Sequence, residues 1–528
     1  MIHDFDSYDH EAVIQADICV IGSGAAGLTI ANQFFDTGWK VVVLEGGGPA
    51  EETSSRDIYQ ADVVGLPHDG VHEGRFRVLG GSTTAWGGQL LPLCEADFNE
   101  KPWLPFSGWP LSFENLEPFY RRAETMMGVD GPPYDEDRWR LFGITPPTLD
   151  GKMFHYRFSQ WAAWGKRNLA LSFRQRLKTS QNVDVIVHAN AVNVLTNKET
   201  NHVDQVDIRS FSGKAGMVKA RFYVICCGGI ETPRLLLASN TVESTGVGNK
   251  RDLVGRYFQD HISLRAGRVV PIDRRAVQAL YDPFFRQGVM YTPKIEMSRQ
   301  SQQEFGLLNA IGHLKFEIPE DSSLQDIKRM LLAVQAGKNP IPSGKAMLRM
   351  VRDSQDFARL AFGKVALNRR LSLSRGDIYL LVDTEQAPNP QSRILLSEKT
   401  DGFGMPRVAV DWRLSEIDVR TLCTFARLFK QQWARLNLGE VLLDDLTFPE
   451  GQFWRENMRD VYHHMGTTRM GDTPQHGVVD KDCKVHSVDN LFIGGSAVFP
   501  TSGNSNPTLT IMALCLRLSD HLKSAGPV

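Results

Sequence analysis

ADICVIGSGAAGLTIANQFFDTGWKVVVLE, residues 16–45, is the stretch that decides the fold. It contains a short apolar run, three glycines, a stretch with the period of a helix, and a second apolar run that ends in Glu45. A strand, a glycine turn, a helix and a second strand in this order are typical of a βαβ unit. A merely glycine-rich turn is the alternative, but it does not explain the ordered series. The stretch therefore predicts the α/β class with a parallel sheet.

The glycines and the acid of this unit have the spacing of a dinucleotide-binding turn. Gly22 lets the strand turn tightly, Gly24 lets the backbone approach a pyrophosphate, and Gly27 lets the helix pack close to the strand. The free N–H groups of the helix N-terminus face the phosphates, and Glu45 is placed to accept hydrogen bonds from a ribose diol. Spacing alone leaves NAD and FAD open, whereas the position at the start of the chain and the EGGG sequence at this acid resemble FAD-binding folds.

A second glycine-rich segment, RFRVLGGSTTAWGG, spans residues 75–88. It places four glycines around two threonines and Trp86. Because glycine removes the side chains that would keep a ligand away, such a loop brings backbone N–H groups close to a flat ring or a phosphate. The alternative is a tight surface loop.

The segment RFYVICCGGIETPRLLLAS, residues 221–239, predicts another strand of the same parallel sheet. The strand ends in Gly228 and Gly229, and we expect a helix to start after Pro233. We also expect these glycines to contact the cofactor.

Two segments near the C-terminus carry the candidate chemistry. VYHHMGTTRMG, residues 461–471, places His463 and His464 before a glycine-containing turn. NLFIGGSAVFPTSGNSNPTLTIMALCLRLSDHL, residues 490–522, sets Asn506 and Pro507 at the entrance to an apolar helix. Proline costs no hydrogen bond in the first helical turn, and the free N–H groups there face toward an electron-rich ring edge. A histidine pair before a glycine turn is by itself ordinary turn structure, so its weight depends on the rest of the framework.

At these residues the sequence resembles the glucose–methanol–choline (GMC) family of FAD oxidoreductases. The resemblance spans nearly the whole chain, because the dinucleotide unit, LGGSTTAWGG, CCGGIETPRLLLAS, HHMGTTRMG and NPTLT occur in the family's order. It implies a Rossmann-like FAD-binding domain with a parallel sheet, and a substrate domain whose largely antiparallel sheet is covered by helices. The whole chain would then have an α+β fold. The implied FAD-binding domain comprises 1–95, 165–258 and 454–528, and the substrate domain comprises 96–164 and 259–453.

The resemblance also implies roles for single residues. His463, followed by x-x-Gly, takes the place of the catalytic base, and Asn506 takes that of its partner. Apart from the resemblance, His464 either contacts the substrate or hydrogen-bonds the backbone. The NPTLT version is similar to pyranose oxidases, bacterial glucoside-3-dehydrogenases and the flavin subunits of fructose and gluconate dehydrogenases. Ala85 stands where pyranose oxidases carry a histidine bonded to the flavin, so we expect non-covalent FAD. The implied cofactor contacts are Gly22, Gly24, Ala26, Gly27, Glu45, Gly80, Gly81, Ser82, Ala85, Trp86, Gly88, Val192, Gly228, Gly495, Pro507 and Thr508.

The residue types agree with alcohol oxidation. Removing a hydride from an alcohol carbon requires the hydroxyl proton to leave at about the same stage, since an alkoxide expels hydride far more readily. A neutral imidazole takes that proton near pH 7, and an amide orients the hydroxyl without competing for it. Flavin N5 receives the hydride. We therefore expect oxidation of an alcohol, with a secondary hydroxyl of a sugar or glycoside favoured.

Other functions stay open at this point. One alternative is oxidation of a bulky lipophilic alcohol, such as a sterol, a terpenoid or a long-chain alcohol, at a membrane surface. Another is a non-oxidative flavoprotein, either a lyase or a binding module, although such family members usually alter the pair formed here by His463 and Asn506. The electron acceptor is O2, a quinone or a redox partner protein.

Composition excludes several classes of protein. A net charge of -2 and a pI near 6.7 over 528 residues do not suggest nucleic-acid binding. The seven cysteines are scattered and contain no C-x-x-C pair, so structural disulfides, zinc ligation and iron–sulfur ligation are not expected, and no metal site is predicted. Residues 1–16 lack the apolar core of a signal peptide, and no apolar run is long enough to cross a bilayer. We expect a cytoplasmic protein, with export on a partner subunit's signal left open.

Two further features admit two interpretations each. A helical stretch, residues 327–375, carries eleven basic residues. It forms either a solvent-exposed helix pair that covers the active site or a surface that docks on a membrane or a partner protein. Four tryptophans near the glycine-rich loop either stack on a sugar or pack in the core. The basic residues are Lys328, Arg329, Lys338, Lys345, Arg349, Arg352, Arg359, Lys364, Arg369, Arg370 and Arg375, and the tryptophans are Trp103, Trp109, Trp161 and Trp164.

Overall fold

The βαβ unit predicted from residues 16–45 is present. The computed structural model describes residues 1–335, 343–446 and 456–527. Strand β2 (Ala12–Ile21) leads through the glycine turn into helix α1 (Ala25–Phe34) and on to β3 (Val41–Leu44). Strands β2 and β3 are parallel, with Ile18 opposite Val41. Every residue of β3 is buried, as expected for a strand covered on both faces.

A largely parallel sheet grows on both sides of this unit. Within the described residues its order is β1-β7-β3-β2-β10-β9-β8, and β20 pairs with the end of β10. All of these pairs are parallel except β10 with β9 and β9 with β8. The remaining strands are β1 (Ile2–Asp4), β7 (Val183–Val187), β8 (Asn190–Thr196), β9 (Val203–Arg209), β10 (Ala215–Ile225) and β20 (Leu491–Ile493).

A second sheet is antiparallel throughout its described pairs. Its order is β18-β11-β15-β14-β13-β6-β5, with β12 beside β13 and β19 beside β11. The combination of a parallel and an antiparallel sheet confirms the predicted fold class. The strands are β5 (Gln89–Leu90), β6 (Phe154–Trp161), β11 (Ile262–Pro271), β12 (Phe284–Arg286), β13 (Val289–Met297), β14 (Ala310–Phe316), β15 (Ile378–Thr384), β18 (Gly439–Leu443) and β19 (Met458–Asp460).

Two short strands cross the predicted domain boundaries. Strands β5 and β19 lie in segments assigned to the FAD-binding domain, yet both pair within the antiparallel sheet. The division into two domains therefore stays a prediction, although the apolar core does separate into one large cluster on each sheet. A third, small sheet consists of β4 (Ala61–Val63), β16 (Arg393–Thr400) and β17 (Pro406–Asp411).

Helices cover both sheets. The long helix α15 packs on the antiparallel sheet, while α1, α4 and α16 pack on one another beside the parallel sheet. The described helices after α1 are α2 (Thr53–Asp57), α3 (Glu95–Phe98), α4 (Phe113–Met127), α5 (Arg138–Leu141), α6 (Trp164–Arg167), α7 (Leu169–Ser172), α8 (Arg174–Thr179), α9 (Gly228–Ala238), α10 (Arg274–Tyr281), α11 (Arg299–Phe305), α12 (Ser323–Gln335), α13 (Gly344–Arg352), α14 (Ser354–Ala366), α15 (Glu416–Arg435) and α16 (Thr508–Lys523).

Helix α9 corrects one expectation from the sequence. It begins at Gly228 and contains Pro233, whereas a start after Pro233 was expected. Pro233 has no N–H to donate to the carbonyl of Gly229, four residues earlier. That carbonyl accepts a hydrogen bond from Thr467 Oγ1 at 2.7 Å instead. The side chain of a distant loop therefore makes the early start possible.

The basic stretch at 327–375 forms α12, α13, α14 and the segment that follows. Lys338 lies outside the described residues. Arg349 pairs with Asp326 at 2.7 Å, and Arg352 and Arg375 both pair with Asp321 and Asp353. Apolar side chains nevertheless face outward on α13 and α14. Docking on a membrane or a partner thus stays a prediction, and none of the described helices is both long and apolar enough to span a bilayer.

Candidate active site

A cavity of about 710 Å³ lies where the two sheets meet. Residues of both sheets line it, together with the 75–88 loop, the 461–464 loop and the start of α16. The structure brings most of the predicted site residues to its wall. These are Gly22, Gly24, Ala26, Glu45, Gly81, Ser82, Ala85, Trp86, Gly88, Gly228, His463, His464, Gly495, Asn506, Pro507 and Thr508.

Three predicted cofactor contacts lie outside this wall. A Cβ atom at Gly27 would lie 1.9 Å from the carbonyl oxygen of Gly22, so this glycine serves the packing of α1 on the turn. Gly80 has φ +100° and turns the chain before Gly81. Val192 lies on β8 next to Ala191, which does line the cavity, and neighbouring side chains of a strand point to opposite faces.

One part of the wall, here called the glycine wall, consists of residues 22–24, 45 and 228. A Cβ atom added at Gly24 or Gly228 would meet no atom within 4 Å, so the backbone is open toward the cavity at both positions. Gly22 (φ +103°) and Gly228 (φ +76°) adopt left-handed conformations that favour glycine. Gly24 caps α1, whose first N–H groups form an anion site. The glycine wall therefore fits the pyrophosphate of a dinucleotide.

Glu45 is fixed within the glycine wall. Its carboxylate accepts hydrogen bonds from Ser23 Oγ at 2.5 Å and from the Gly47 N–H at 2.8 Å. Burial raises the pKa of Glu45, and these hydrogen bonds and the charge of Arg77 oppose the rise. An acid held at the end of β3 fits the predicted contact with a ribose diol.

Another part of the wall, the histidine wall, consists of residues 463–464 and 506–508. Tyr462, with φ +66°, turns the chain after β19, and the backbone N–H of His463 then donates to Asp260 Oδ1 at 2.9 Å. His463 Nδ1 lies 2.9 Å from His261 Nδ1, with the two rings nearly perpendicular. Burial and the neighbouring His261 lower the pKa of His463 to about 3, so its imidazole is neutral.

Asn506 and the start of α16 complete this wall. Asn506 is half-buried and precedes Pro507, which caps the helix that begins at Thr508. The first N–H groups of α16 are therefore available beside the cavity. His463, Asn506 and this helix terminus come from segments that are about forty residues apart in sequence, yet the structure places them on one surface.

His464 differs from its neighbour because it also borders a buried ionic cluster. Its Nε2 atom lies 3.9 Å from Asp260 Oδ2. Burial lowers the pKa of His464 to about 3 against the charge of Asp260. For Asp260 burial raises the pKa, but His68 and His464 outweigh it and hold the pKa well below its usual range. The predicted substrate contact of His464 stays a prediction.

The four tryptophans singled out in the sequence lie in different environments. Trp161 lines the cavity and donates from Nε1 to Thr292 Oγ1 at 3.0 Å. Trp109 is buried against Thr501, Trp103 donates to a backbone carbonyl, and Trp164 is 85% exposed. Trp161 alone of these four is therefore placed to contact a ligand in the cavity.

Sequence reasoning missed the residues that support the histidine wall. Asp260 and His261 lie directly before β11, in a part of the chain where no cofactor motif was found, and His68 follows β4. The available signal was weak: an adjacent Asp-His pair in a stretch without a recognised motif. Its meaning depends on contacts with residues about two hundred positions away.

Comparisons with known proteins agree with this geometry. A family model described as FAD dependent oxidoreductase matches residues 17–250, and one described as GMC oxidoreductase matches residues 388–515. The chain is 25% identical to 2-methyl-1,2-propanediol dehydrogenase of Mycolicibacterium austroafricanum, with 96% of this chain and 95% of that protein covered. It is 26% identical to 6'''-hydroxyparomomycin C oxidase of Streptomyces lividus, with 96% and 91% covered.

The fold is also similar to solved structures. Formate oxidase superposes with a TM-score of 0.58 at 16% identity, over 98% of this chain and 99% of that structure. The two family models between them cover the glycine wall and the histidine wall. The chain therefore contains an FAD dependent oxidoreductase domain followed by a GMC oxidoreductase domain, which confirms the resemblance found in the sequence, and it is an FAD-dependent oxidoreductase.

Proposed function

We propose that this enzyme oxidises a secondary hydroxyl of a sugar or glycoside to a ketone, with His463 as the general base and Asn506 orienting the hydroxyl. The observation that carries the proposal is the contact between His463 and His261 beside the cavity. It determines which nitrogen of His463 is free to act.

The hydrogen bonds assign the tautomers of both histidines. His261 Nε2 lies 3.4 Å from the carbonyl oxygen of Ser502, which only accepts, so the proton of His261 is on Nε2. Burial lowers the pKa of His261, which leaves its Nδ1 as an acceptor. His463 must then donate from Nδ1, and the lone pair of His463 is on Nε2. The base is therefore oriented by a second histidine, as in other catalytic pairs.

The hydride and the proton that leave the substrate both have an acceptor in this site when FAD is bound. The substrate loses a hydride from carbon and a proton from oxygen, and a C=O bond forms. Bound FAD supplies the hydride acceptor, flavin N5. His463 Nε2 takes the proton, and the imidazolium keeps its Nδ1 hydrogen bond to His261. Asn506 holds the hydroxyl through its amide without taking the proton.

A sugar or glycoside substrate is supported by the position of Trp161 and by the substrates of similar proteins. An indole in the wall offers an apolar face to the C–H groups of a pyranose ring. The curated relatives include the fructose dehydrogenase large subunit of Gluconobacter japonicus, 23% identical, and paromamine 6'-oxidase of Streptomyces fradiae, also 23% identical. A sugar or a glycoside is therefore the first class to test.

Anaerobic bleaching of the flavin tests the proposal directly. The purified holoenzyme is mixed with monosaccharides, aryl glycosides, sterols and long-chain alcohols in turn. We expect bleaching by sugars or glycosides, with a ketone identified in the product by NMR. Bleaching by lipophilic alcohols alone would replace the substrate class, and bleaching by none of the alcohols would favour a non-oxidative flavoprotein. Reoxidation by O2 or by a quinone then identifies the electron acceptor.

A further inference from the structure

At the histidine wall, the side chain of His464 converges with two side chains from behind the wall in a buried cluster that the proposed proton transfer does not use. His68, Asp260 and His464 are 3%, 0% and 9% exposed. They come from three distant segments, after β4, before β11 and after β19. One ligand atom of each residue lies within 4.8 Å of those of the other two.

The geometry of this cluster is not that of a hydrogen-bond network. His68 Nε2 lies 3.3 Å from Asp260 Oδ2, and His464 Nε2 lies 3.9 Å from the same oxygen. All three atoms are buried, yet within the described residues none has a hydrogen-bond partner of acceptable geometry. Buried polar atoms are rarely left unpaired, and an ion or a water is the usual explanation. Three buried ligand atoms that are this close together without hydrogen-bond partners form a candidate site for an ion.

The 3.3 Å separation matches that of two ligands on one metal ion, and the 3.9 Å separation is somewhat longer. Bonds of about 2.0–2.2 Å in a tetrahedral zinc site place neighbouring nitrogen and oxygen ligands roughly 3.3–3.5 Å apart. The donor set of two imidazoles and one carboxylate is common for divalent transition metals. Behind His68, Asp460 Oδ2 lies 3.4 Å from Nδ1, where metal-bound histidines commonly have a carboxylate. Phe258 and Trp412 pack on the His68 ring and exclude water.

We propose that His68, Asp260 and His464 bind a structural divalent transition-metal ion, with Zn²⁺ as the best chemical fit. The metal joins three segments that are far apart in sequence. Asp260 uses its other oxygen, Oδ1, to accept from the backbone N–H of His463. The metal therefore fixes the loop that carries the proposed base, and it takes no part in the transfer of the hydride. This proposal runs against the sequence analysis, which predicted no metal site and no zinc ligation.

A second histidine cluster serves as the matched control. Asp4, Asp6 and His188 also bring their ligand atoms within 4.8 Å of one another, with both acids exposed. Both nitrogens of His188 are hydrogen-bonded, to Asp4 at 3.0 Å and to Glu52 at 3.1 Å. Because carboxylates only accept hydrogen bonds, both nitrogens of His188 donate and neither offers a lone pair, so this cluster is not expected to bind a metal ion tightly.

The first test measures metal content. The untagged holoenzyme, loaded with Zn²⁺ and passed through gel filtration without chelator, is analysed by elemental mass spectrometry and by flavin absorbance. We expect about one equivalent of zinc per FAD in the wild type and in His188→Gln, and a loss of most of it in His68→Gln. Wild-type protein with no retained metal would overturn the proposal and leave a buried water as the explanation. Equal zinc in all three proteins would also overturn it.

A second test does not depend on the variant folding. The wild-type holoenzyme is treated with a strong zinc chelator, and the temperature of unfolding is measured before treatment, after it, and after Zn²⁺ is restored. We expect a lower unfolding temperature after chelation and recovery with Zn²⁺, because a ligand bound only by the folded state stabilises it. An unchanged unfolding temperature would contradict a structural metal. Neither readout requires knowledge of the substrate, so failure here leaves the proposed oxidation untouched.

Discussion

The glycine wall and the histidine wall belong to one cavity but are built in different ways. The glycine wall is mostly backbone, and residues 22–24 and 45 come from one continuous βαβ unit. The histidine wall is mostly side chain, and His463 depends on Asp260 and His261, two hundred residues earlier. A short motif therefore builds the wall predicted to bind the cofactor, whereas the tertiary fold builds the wall proposed to activate the substrate. Each of the following predictions separates these two contributions.

The largest effect is expected in the glycine wall. Gly24→Val places a branched side chain in the space that is open beside α1, so the pyrophosphate of FAD is excluded. The purified variant should be folded but colourless, with no flavin absorbance. Gly151→Val is the matched control, because Gly151 is exposed, also has no atom within 4 Å of its added Cβ, and lies away from the cavity. A yellow, fully loaded Gly24→Val protein would refute the placement of the pyrophosphate.

Sequence alone predicted the glycine wall well because its information is local. The strand, turn, helix and acid follow one another within thirty residues, and the structure contains β2, α1 and β3 in that stretch. The parallel and antiparallel sheets are confirmed as well. His463 and Asn506 were identified through family motifs, and the structure places both on the cavity wall.

The remaining features could not be predicted from the sequence because they depend on long-range contacts. Nothing local in Asp260 or His261 shows that they meet the loop at 463–464. The start of α9 depends on Thr467, which accounts for the wrong helix boundary. The number of basic residues in 327–375 also did not show that Arg349 forms an ion pair with Asp326. Such pairings follow from the fold and not from composition.

The next effect tests the histidine wall without disturbing the glycine wall. His463→Ala should keep FAD bound, but it should lower the rate of anaerobic flavin reduction by roughly two to four orders of magnitude, the scale of a lost general base. Stopped-flow absorbance measures both the bound flavin and its reduction. His476→Ala, at an exposed position, should reduce at the wild-type rate. Normal reduction in His463→Ala would contradict the role of His463 as the general base.

A smaller effect is expected for the residue that orients the base. His261→Leu removes the acceptor for His463 Nδ1–H, and loss of a partner that orients an imidazole costs about 10- to 100-fold. His261→Gln offers an amide oxygen in its place and should recover part of the rate. Both variants should change the limiting rate of reduction more than the substrate concentration that half-saturates it. Equal rates for Leu and Gln would indicate that His261 only fills space.

The smallest effect on turnover is expected at Glu296, which supports the segment before Asn506. Its carboxylate accepts from Asn504 Nδ2 and from His155 Nε2, both at 2.6 Å. Burial raises the pKa of Glu296, but the charge of Arg157 and the bond to His155 outweigh it and lower the pKa to about 2. The pKa of Glu296 thus falls from its ordinary value of 4.5 to about 2 on folding. This fall favours the folded state over the unfolded state by roughly 3 kcal/mol at pH values above about 4.5.

This contribution has a defined pH dependence, because an acid with a depressed pKa stabilises the fold above its unfolded pKa and loses that stabilisation as the pH falls. Glu296→Gln should therefore unfold at a lower temperature than the wild type near pH 7, and the difference should shrink as the pH falls from about 4.5 toward 3. Glu304→Gln, at an exposed position on α11, should match the wild type at every pH. A constant difference for Glu296→Gln would mean that shape and not charge supports the Asn504 segment.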